Sequence, residues 1–249
     1  CVRAIAGDAI PSNGGCFRPV CVVLPQASVV NPRPPAPVNA RAGTVKLLCS
    51  AIMAALGEAL PGRIAARSAH IATFLALGGM KPDGTVFVAN QAMMGGTGGS
   101  PGRDGVEFME PDDTNGRHGG VEVLEVAAPA RIRRYEIRPG GGGAGQYRGG
   151  TGAIREIEFL ADDIRLSYRG ERHFSQAGGV NGGSPGVASL AVIRRADGTQ
   201  EEIRSKGVVT VSKGDVLVLE SAGGGGWGDP SLRDPAALAD DLADGKTPC

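Results

Sequence analysis

The sequence predicts an α+β chain: a long early helix, then a β-rich, largely antiparallel C-terminal half with glycine-rich connections. Three observations lead there. Apolar residues recur at helical spacing between 44 and 60. From residue 85 onward the apolar period shortens to two, the mark of half-buried strands. Glycine supplies 41 of 249 residues, more than twice the usual ~7% share, and falls largely between the strand-like runs.

Taken in order, CFRPVCVVLP at 16–25 is β-branched and closed by Pro25, so a strand is expected. The stretch 31–43 carries Pro32, Pro34, Pro35 and Pro37 and reads as extended, because proline fixes φ and lacks an N–H. The helix is TVKLLCSAIMAALGEAL at 44–60, with Val45, Leu48, Cys49, Ile52, Leu56 and Ala59 on one face. Thr44 can cap it, and Pro61-Gly62 ends it. That face is expected in the core, where Leu48, Ile52 and Leu56 each contribute ~1.5–3 kcal/mol before entropy is charged.

Strands are expected at 85–91, 120–128, 130–138, 153–160, 164–170, 187–195, 200–205 and 215–221. Within 153–160, parity sets Arg155, Ile157 and Phe159 against Ile154, Glu156, Glu158 and Leu160. Ala196-Asp197-Gly198-Thr199 is a hairpin signal. A last helix at 234–245 has Asp234 as cap, Pro235 at its first position and Gly245 past its end. The organisation expected is a mixed part at 1–84, a β-rich part at 85–233, and a terminal helix and tail at 234–249.

Composition narrows the function classes. With 41% hydrophobic and 21% charged residues the chain is globular. Its 26 basic and 26 acidic residues cancel, which gives no reason to expect nucleic acid or an anionic membrane as partner. The five cysteines, at 1, 16, 21, 49 and 249, form no CxxC pair, so neither a disulfide framework nor structural zinc is expected. A cytoplasmic location is the resulting expectation. Uninterrupted apolar runs such as 20–24 fall short of the ~20 residues of a membrane helix. The chain opens on Cys1 and not on Met, so a portion of a longer polypeptide is expected.

Gly140, Gly142 and Gly145 match GxGxxG, as do Gly223, Gly225 and Gly228. A dinucleotide site needs a helix directly after such a loop. Here a strand follows the first and a turn the second, so the glycines are read as supplying positive φ and close backbone approach. Gly245-Lys246-Thr247 is rejected as a P-loop end because Asp240 stands where the first glycine belongs.

The histidines are His70, His118 and His173, with no HExxH. His118 near Asp112 and Asp113 offers a few metal donors, although a solvated loop is the plainer reading. Cys16 beside Arg18 has no neighbouring base in sequence. Asp8, Asn13 and Arg18 form a compact polar group at a turn, where Arg18 can hold a carboxylate and Asn13 can serve the turn itself. No catalytic residue, metal ligand or cofactor-binding residue is assigned; Asn13, Arg18, Asp104 and Arg148 are the substrate-binding candidates.

Taken as an ordered set, GDAIPSNGGCFRPVCVVLP, NPRPPAPVNAR, GGTGGSPGRDG, VEVLE, RPGGGGAGQYRGGTGAIREIEFL, GGVNGGSPG and GGGGWGDPSLRD resemble the hydantoinase B/oxoprolinase family over about residues 8–245. Pro139-Gly140-Gly141 departs from the family's Pro-x-Ser-Gly-Gly-like start, and His118-Gly119-Gly120 stands where Asn-x-Pro is common. The resemblance is to the C-terminal half of the family's B part. It implies ring-opening of cyclic amides such as hydantoins or 5-oxoproline, with ATP and Mg bound in a hydantoinase A-like partner and a divalent metal in the N-terminal half. It also implies a hetero-oligomer and a fragment inactive alone. The alternatives are a segment of an acetone or acetophenone carboxylase alpha-type subunit, and a non-catalytic assembly module.

Overall fold

The computed structural model describes residues 2–7, 10–11, 13–38, 41–60, 62–70, 72–109 and 118–247. Helix α1 (Val2–Ala6) opens the described chain, and α2 (Arg41–Ala59) follows the proline-rich stretch. Strands β1 (Ala72–Met80) and β2 (Val86–Met94) form a hairpin. Helix α3 (Val121–Ala127) precedes β3 (Ala130–Ile137), β4 (Ala153–Phe159) and β5 (Ile164–Arg169). Then come β6 (Leu190–Arg194), β7 (Gln200–Glu202), β8 (Lys206–Val211), β9 (Val216–Glu220) and helix α4 (Pro235–Ala243).

The α+β class is as the sequence predicts. Both sheets are antiparallel, with strand orders β2-β1-β5-β8 and β3-β4-β9-β6-β7. One apolar cluster joins them: Leu75, Leu77, Phe87, Ile164 and Leu166 from the first sheet meet Ile157, Phe159, Ile193, Leu217 and Leu219 from the second. The parity read in β4 holds, since Arg155, Ile157 and Phe159 are the buried side. The outer side carries Glu156 and Glu158, paired with Arg194 and Arg133.

Two hairpins share one turn chemistry. In the anticipated turn, Asp197 accepts hydrogen bonds from the Thr199 amide and hydroxyl, and Gly198 takes φ +88°. Asp83, Gly84 and Thr85 repeat this between β1 and β2. At the C-terminus, Asp234 accepts from the Ala236 amide and Gly245 has φ +67°, as the cap residues predict.

Four expectations are corrected. Residues 16–25 are not a strand: Gly14–Phe17 is a 3-10 turn, and Val20, Val22, Val23 and Leu24 are exposed. β-branched residues favour a strand only when a neighbour packs against them, and the described structure gives this stretch none. Residues 121–127 are a helix. The favoured two-residue hairpin turns need positive φ at their first central residue, and Ala128 instead takes φ −130°. β1 and β8 lie where no strand is expected. β1 is an interior strand whose continuous apolar run hides the alternation.

The fourth correction concerns α2. It starts at Arg41, and the face in closest cover carries Lys46 and Ser50. Leu48 and Ile52, expected in the core, are each 40% exposed. Its 19 residues also have the length and apolarity of a membrane span, which a count of uninterrupted apolar runs does not detect.

Beside the sandwich lies a body of extended glycine-rich segments. Along 223–228, successive amides donate to the carbonyls of Val187, Gly150, Arg67, Ser184, Tyr147 and Val180. Residues three apart return to the same neighbour: Gly223 and Gly226 reach Val187 and Ser184, while Gly224 and Trp227 reach Gly150 and Tyr147. An extended helix with three residues per turn produces this step. The same step joins Ala66 and Ala69 to Gly99 and Gly96, and Ser184 and Val187 to Ala144 and Gly141. A Cβ at Gly224 would lie 2.0 Å from the Thr97 carbonyl oxygen. The glycines therefore serve backbone approach, as the absence of following helices suggests.

Gly224→Ala is expected to destabilise the fold by more than ~3 kcal/mol, because the clash is with backbone that cannot rotate away. Gly43→Ala, in α2 with open space at its Cβ, is expected to be neutral or stabilising by up to ~1 kcal/mol. Urea unfolding of both variants checks the contrast.

Candidate functional site

The glycine body positions two polar assemblies. The first holds α4. Arg233 makes a forked pair with Asp104 at 2.9 and 2.8 Å and also bonds Asp241. Arg148 reaches Glu107 at 2.7 Å and lies 3.1 Å from Asp241, while its amide donates to Asp104. Asp241 is 4% exposed, so both guanidiniums meet it out of solvent. Burial pushes the Asp104 carboxyl up, but the bonds from Arg233 and from the Arg148 amide outweigh it and hold Asp104 below the ordinary range.

The structure thus brings two of the four substrate-binding candidates, Asp104 and Arg148, into contact, and fits both with protein partners. The other two lie together at the 3-10 turn. Asn13 caps it by accepting from the Gly15 amide at 2.9 Å, and Arg18 closes it with an exposed side chain. Cys16 donates its thiol hydrogen to the Pro11 carbonyl. Asp8, Asp112 and Asp113 lie outside the described residues. His118 stacks on Phe108 with ring centroids 3.8 Å apart, and burial lowers its pKa. His173 meets the Tyr168 hydroxyl at 2.7 Å.

The second assembly is a cleft between α2 and the segment 64–70. Its deeper part, about 610 Å³, is lined by Ser50, Glu58, Arg67, Ser68, His70 and Asn181 among others. An adjoining part of about 440 Å³ shares Ser50, Glu58 and Arg67 and adds Arg172. The three-residue step explains the wall. Ala66 and Ala69 turn their amides to Gly99 and Gly96 and are buried, leaving Arg67 exposed at the cleft. Arg172 crosses beneath, donating to the Ala69 carbonyl at 2.9 Å and the Gln176 carbonyl at 3.3 Å. Ser68 accepts from the Gly98 amide through its hydroxyl, and its carbonyl lies 2.8 Å from His70 Nδ1. His70 and Arg172 both have left-handed backbone, at φ +49° and +62°, a geometry that costs of order 1–3 kcal/mol in non-glycine residues and clusters at functional positions.

Sequence reading left Arg67 and Arg172 unassigned. RSAH and RGERH offered a faint signal, arginine shortly before histidine in a small-residue context. Among the described residues, no three His, Cys, Asp or Glu side chains form a group able to hold a metal. The amides of 223–228 all donate to carbonyls, so that run has no outward donors of the kind a phosphate cradle needs.

An antiparallel sandwich buttressed by a glycine-rich body, with a polar cleft against one helix, defines the architectural class. The family model described as hydantoinase B/oxoprolinase matches residues 1–230, and the chain belongs to that family. It is 31% identical over 239 residues to a putative B-type D-/L-hydantoinase polypeptide of Pseudomonas sp. strain NS671, covering 94% of this chain and 40% of that protein. The crystal structure of an ATP-dependent caprolactamase from Pseudomonas jessenii aligns with TM-score 0.83 and 25% identity, over 99% of this chain and 45% of that one. A nucleotide-free acetone carboxylase shares the fold, with TM-score 0.66 and 23% identity over 77% of this chain and 30% of that one. The chain spans less than half the length of each of these proteins.

Asp241→Ala leaves Arg148 and Arg233 each short of a buried carboxylate, and a loss of ~3–5 kcal/mol is expected in denaturant unfolding. Asp104 has a folded pKa below its unfolded value of about 3.9. Its contribution is therefore complete above that value and is lost as pH falls through the folded pKa. Asp104→Asn is expected to flatten the fall in thermal midpoint below about pH 4; an unchanged acid limb would refute the assignment.

Proposed function

We propose that the chain is the C-terminal part of the B component of an ATP-dependent cyclic-amide hydrolase, of hydantoinase or 5-oxoprolinase type. The family match over residues 1–230 carries this reading, and the fold shared with an ATP-dependent caprolactamase supports it. In this reading the chain supplies scaffold and pocket wall and is inactive alone. The divalent metal belongs to the part of the relatives that this chain does not span, and ATP with Mg to a hydantoinase A-like partner, in a cytoplasmic hetero-oligomer. ATP supplies the driving force for opening a stable amide ring. The described residues assemble no group of three His, Cys, Asp or Glu side chains that could hold that metal.

Of the anchor candidates, Arg18 is exposed and remains proposed as a carboxylate contact, with Asn13 shaping its turn. Asp104 and Arg148 are engaged with Arg233 and with Asp241 of α4, and we assign them to fastening α4. The fold shared with acetone carboxylase supports a second reading, a carboxylase alpha-type segment acting on a ketone. A non-catalytic assembly module is the third.

Joined to the N-terminal portion of its relatives and the A-like partner, the chain is expected to support ATP-dependent release of ring-opened product from a hydantoin or 5-oxoproline. The 249-residue chain alone is expected to give none. Turnover by the bare chain would refute the scaffold reading. Fixation of bicarbonate onto a ketone would select the carboxylase, and co-purification without either reaction the assembly role. In the complete enzyme Arg18→Ala is expected to raise KM at least ~10-fold, the loss of one charge-assisted contact; an unchanged KM dismisses Arg18 as an anchor.

A further inference from the structure

Arg67 and Arg172 line one continuous cleft, and neither has a carboxylate partner within ion-pair distance among the described residues. Three other arginines withdrawn from solvent meet carboxylates, whereas the buried Arg155, like Arg172, has only neutral partners among the described residues. Arg148 and Arg233 share Asp241, and Arg138 meets Glu220 at 2.6 Å. Arg155 lies over the Tyr135 ring, 4.1 Å from its centroid. Arg172 is 9% exposed, yet its side-chain hydrogen bonds go to the carbonyls of Ala69, Gln176 and Ser68 and to the Ser175 hydroxyl, all neutral acceptors. Burial, and then the neighbouring positive charge of Arg67, hold its guanidinium below the ordinary arginine range, with the Glu171 carboxylate opposing them only in part. Two like charges beside one cavity are a standing electrostatic cost unless an anion enters between them.

The groups around them fit that ligand. Ser50 and Ser68 add hydroxyls and Asn181 an amide to the same walls. Glu58 lines both parts of the cleft, but no ion pair joins it to either guanidinium. Glu171, next in sequence to Arg172, forms its ion pair with Lys206 at 3.0 Å. Left-handed backbone at both His70 and Arg172 is the kind of strain that persists where surrounding structure fixes side chains for a task.

We propose that the cleft between α2 and residues 64–70 is an oxyanion-binding site in which the exposed Arg67 grips a carboxylate or phosphate group, while Arg172, whose donors are largely engaged with protein oxygens, adds positive charge beneath it. The planar, five-donor guanidinium suits both anions. The proposal deepens the cyclic-amide reading, on which it rests only for the source of the carboxylate: the ring substrate would carry an acid group, as 5-oxoproline does. Binding of an oxyanion is measured apart from turnover, so failure of one does not imply failure of the other.

Isothermal titration of the 249-residue chain with 5-oxoproline, 2-pyrrolidinone and inorganic phosphate tests it. The neutral ring, which lacks the carboxylate, is expected not to bind. At least one oxyanion is expected to bind saturably at one site per chain, more weakly as salt is raised. Arg67→Ala is the primary variant, since the Arg67 side chain holds no other element, and it should weaken that binding at least tenfold without moving the thermal midpoint. Arg67→Lys, which keeps charge and loses the fork, should fall between. Saturation by 5-oxoproline assigns the site to the substrate acid group, and saturation by phosphate alone assigns it to a phosphoryl group. No saturable binding of either oxyanion, binding unchanged in Arg67→Ala, or equal binding of 5-oxoproline and 2-pyrrolidinone would overturn the proposal.

Discussion

The structure depends on backbone-to-backbone contact between extended segments that use glycine to come within hydrogen-bond reach on several sides at once. A strand in a sheet offers its amides to two neighbours in one plane. Residues 223–228 instead offer theirs around the axis, to the segments 147–150, 180–187 and residue 67 in turn. Side chains would occupy the space through which those bonds pass. A Cβ at Gly150 would lie 2.0 Å from the Val106 carbonyl oxygen. Glycine gives up more conformational entropy on ordering than any other residue, so such a body needs dense hydrogen bonding and firm support at its rim.

That support comes from two directions. On one side the strands that continue from the glycine segments enter the sandwich: 141–152 leads into β4, and β9 leads into 222–228. On another side the Asp104–Arg233–Asp241–Arg148 assembly fastens α4 over the loops. The pairing is buried, so its worth lies less in net stability than in the cost of breaking it and in the single docking geometry it allows. The same logic explains why Asp104 and Arg148, attractive as substrate contacts by residue type, are occupied by the protein.

The cleft beside α2 has the opposite character. Its walls come from the same three-residue stepping, which buries Ala66 and Ala69 and turns Arg67 outward. Among the described residues its two guanidiniums have no carboxylate of the kind that neutralises Arg148 and Arg233. The helix that closes it turns Lys46 and Ser50 inward and leaves Leu47, Leu48 and Ile52 partly exposed. Scaffold and site therefore differ in charge balance more than in architecture.

Local chemistry by itself determined much of this protein. The Asp-Gly-Thr turn after β6, the Asp234 and Pro235 start of α4 and the alternation in β4 all follow from neighbours in sequence. The ordered motifs also pointed to the family. Only the tertiary structure decided the rest. VEVLEVA is a helix that packs Leu124 into the core, and 16–25 stays unpaired for want of a neighbour. The apolar run 72–80 became an interior strand because strands lie on both of its edges. The face of α2 and the pairing of Arg148, against the open cleft at Arg67 and Arg172, depend on contacts between residues far apart in the chain. Propensity and periodicity report what a segment prefers alone, whereas burial and charge pairing are set by what the fold brings against it.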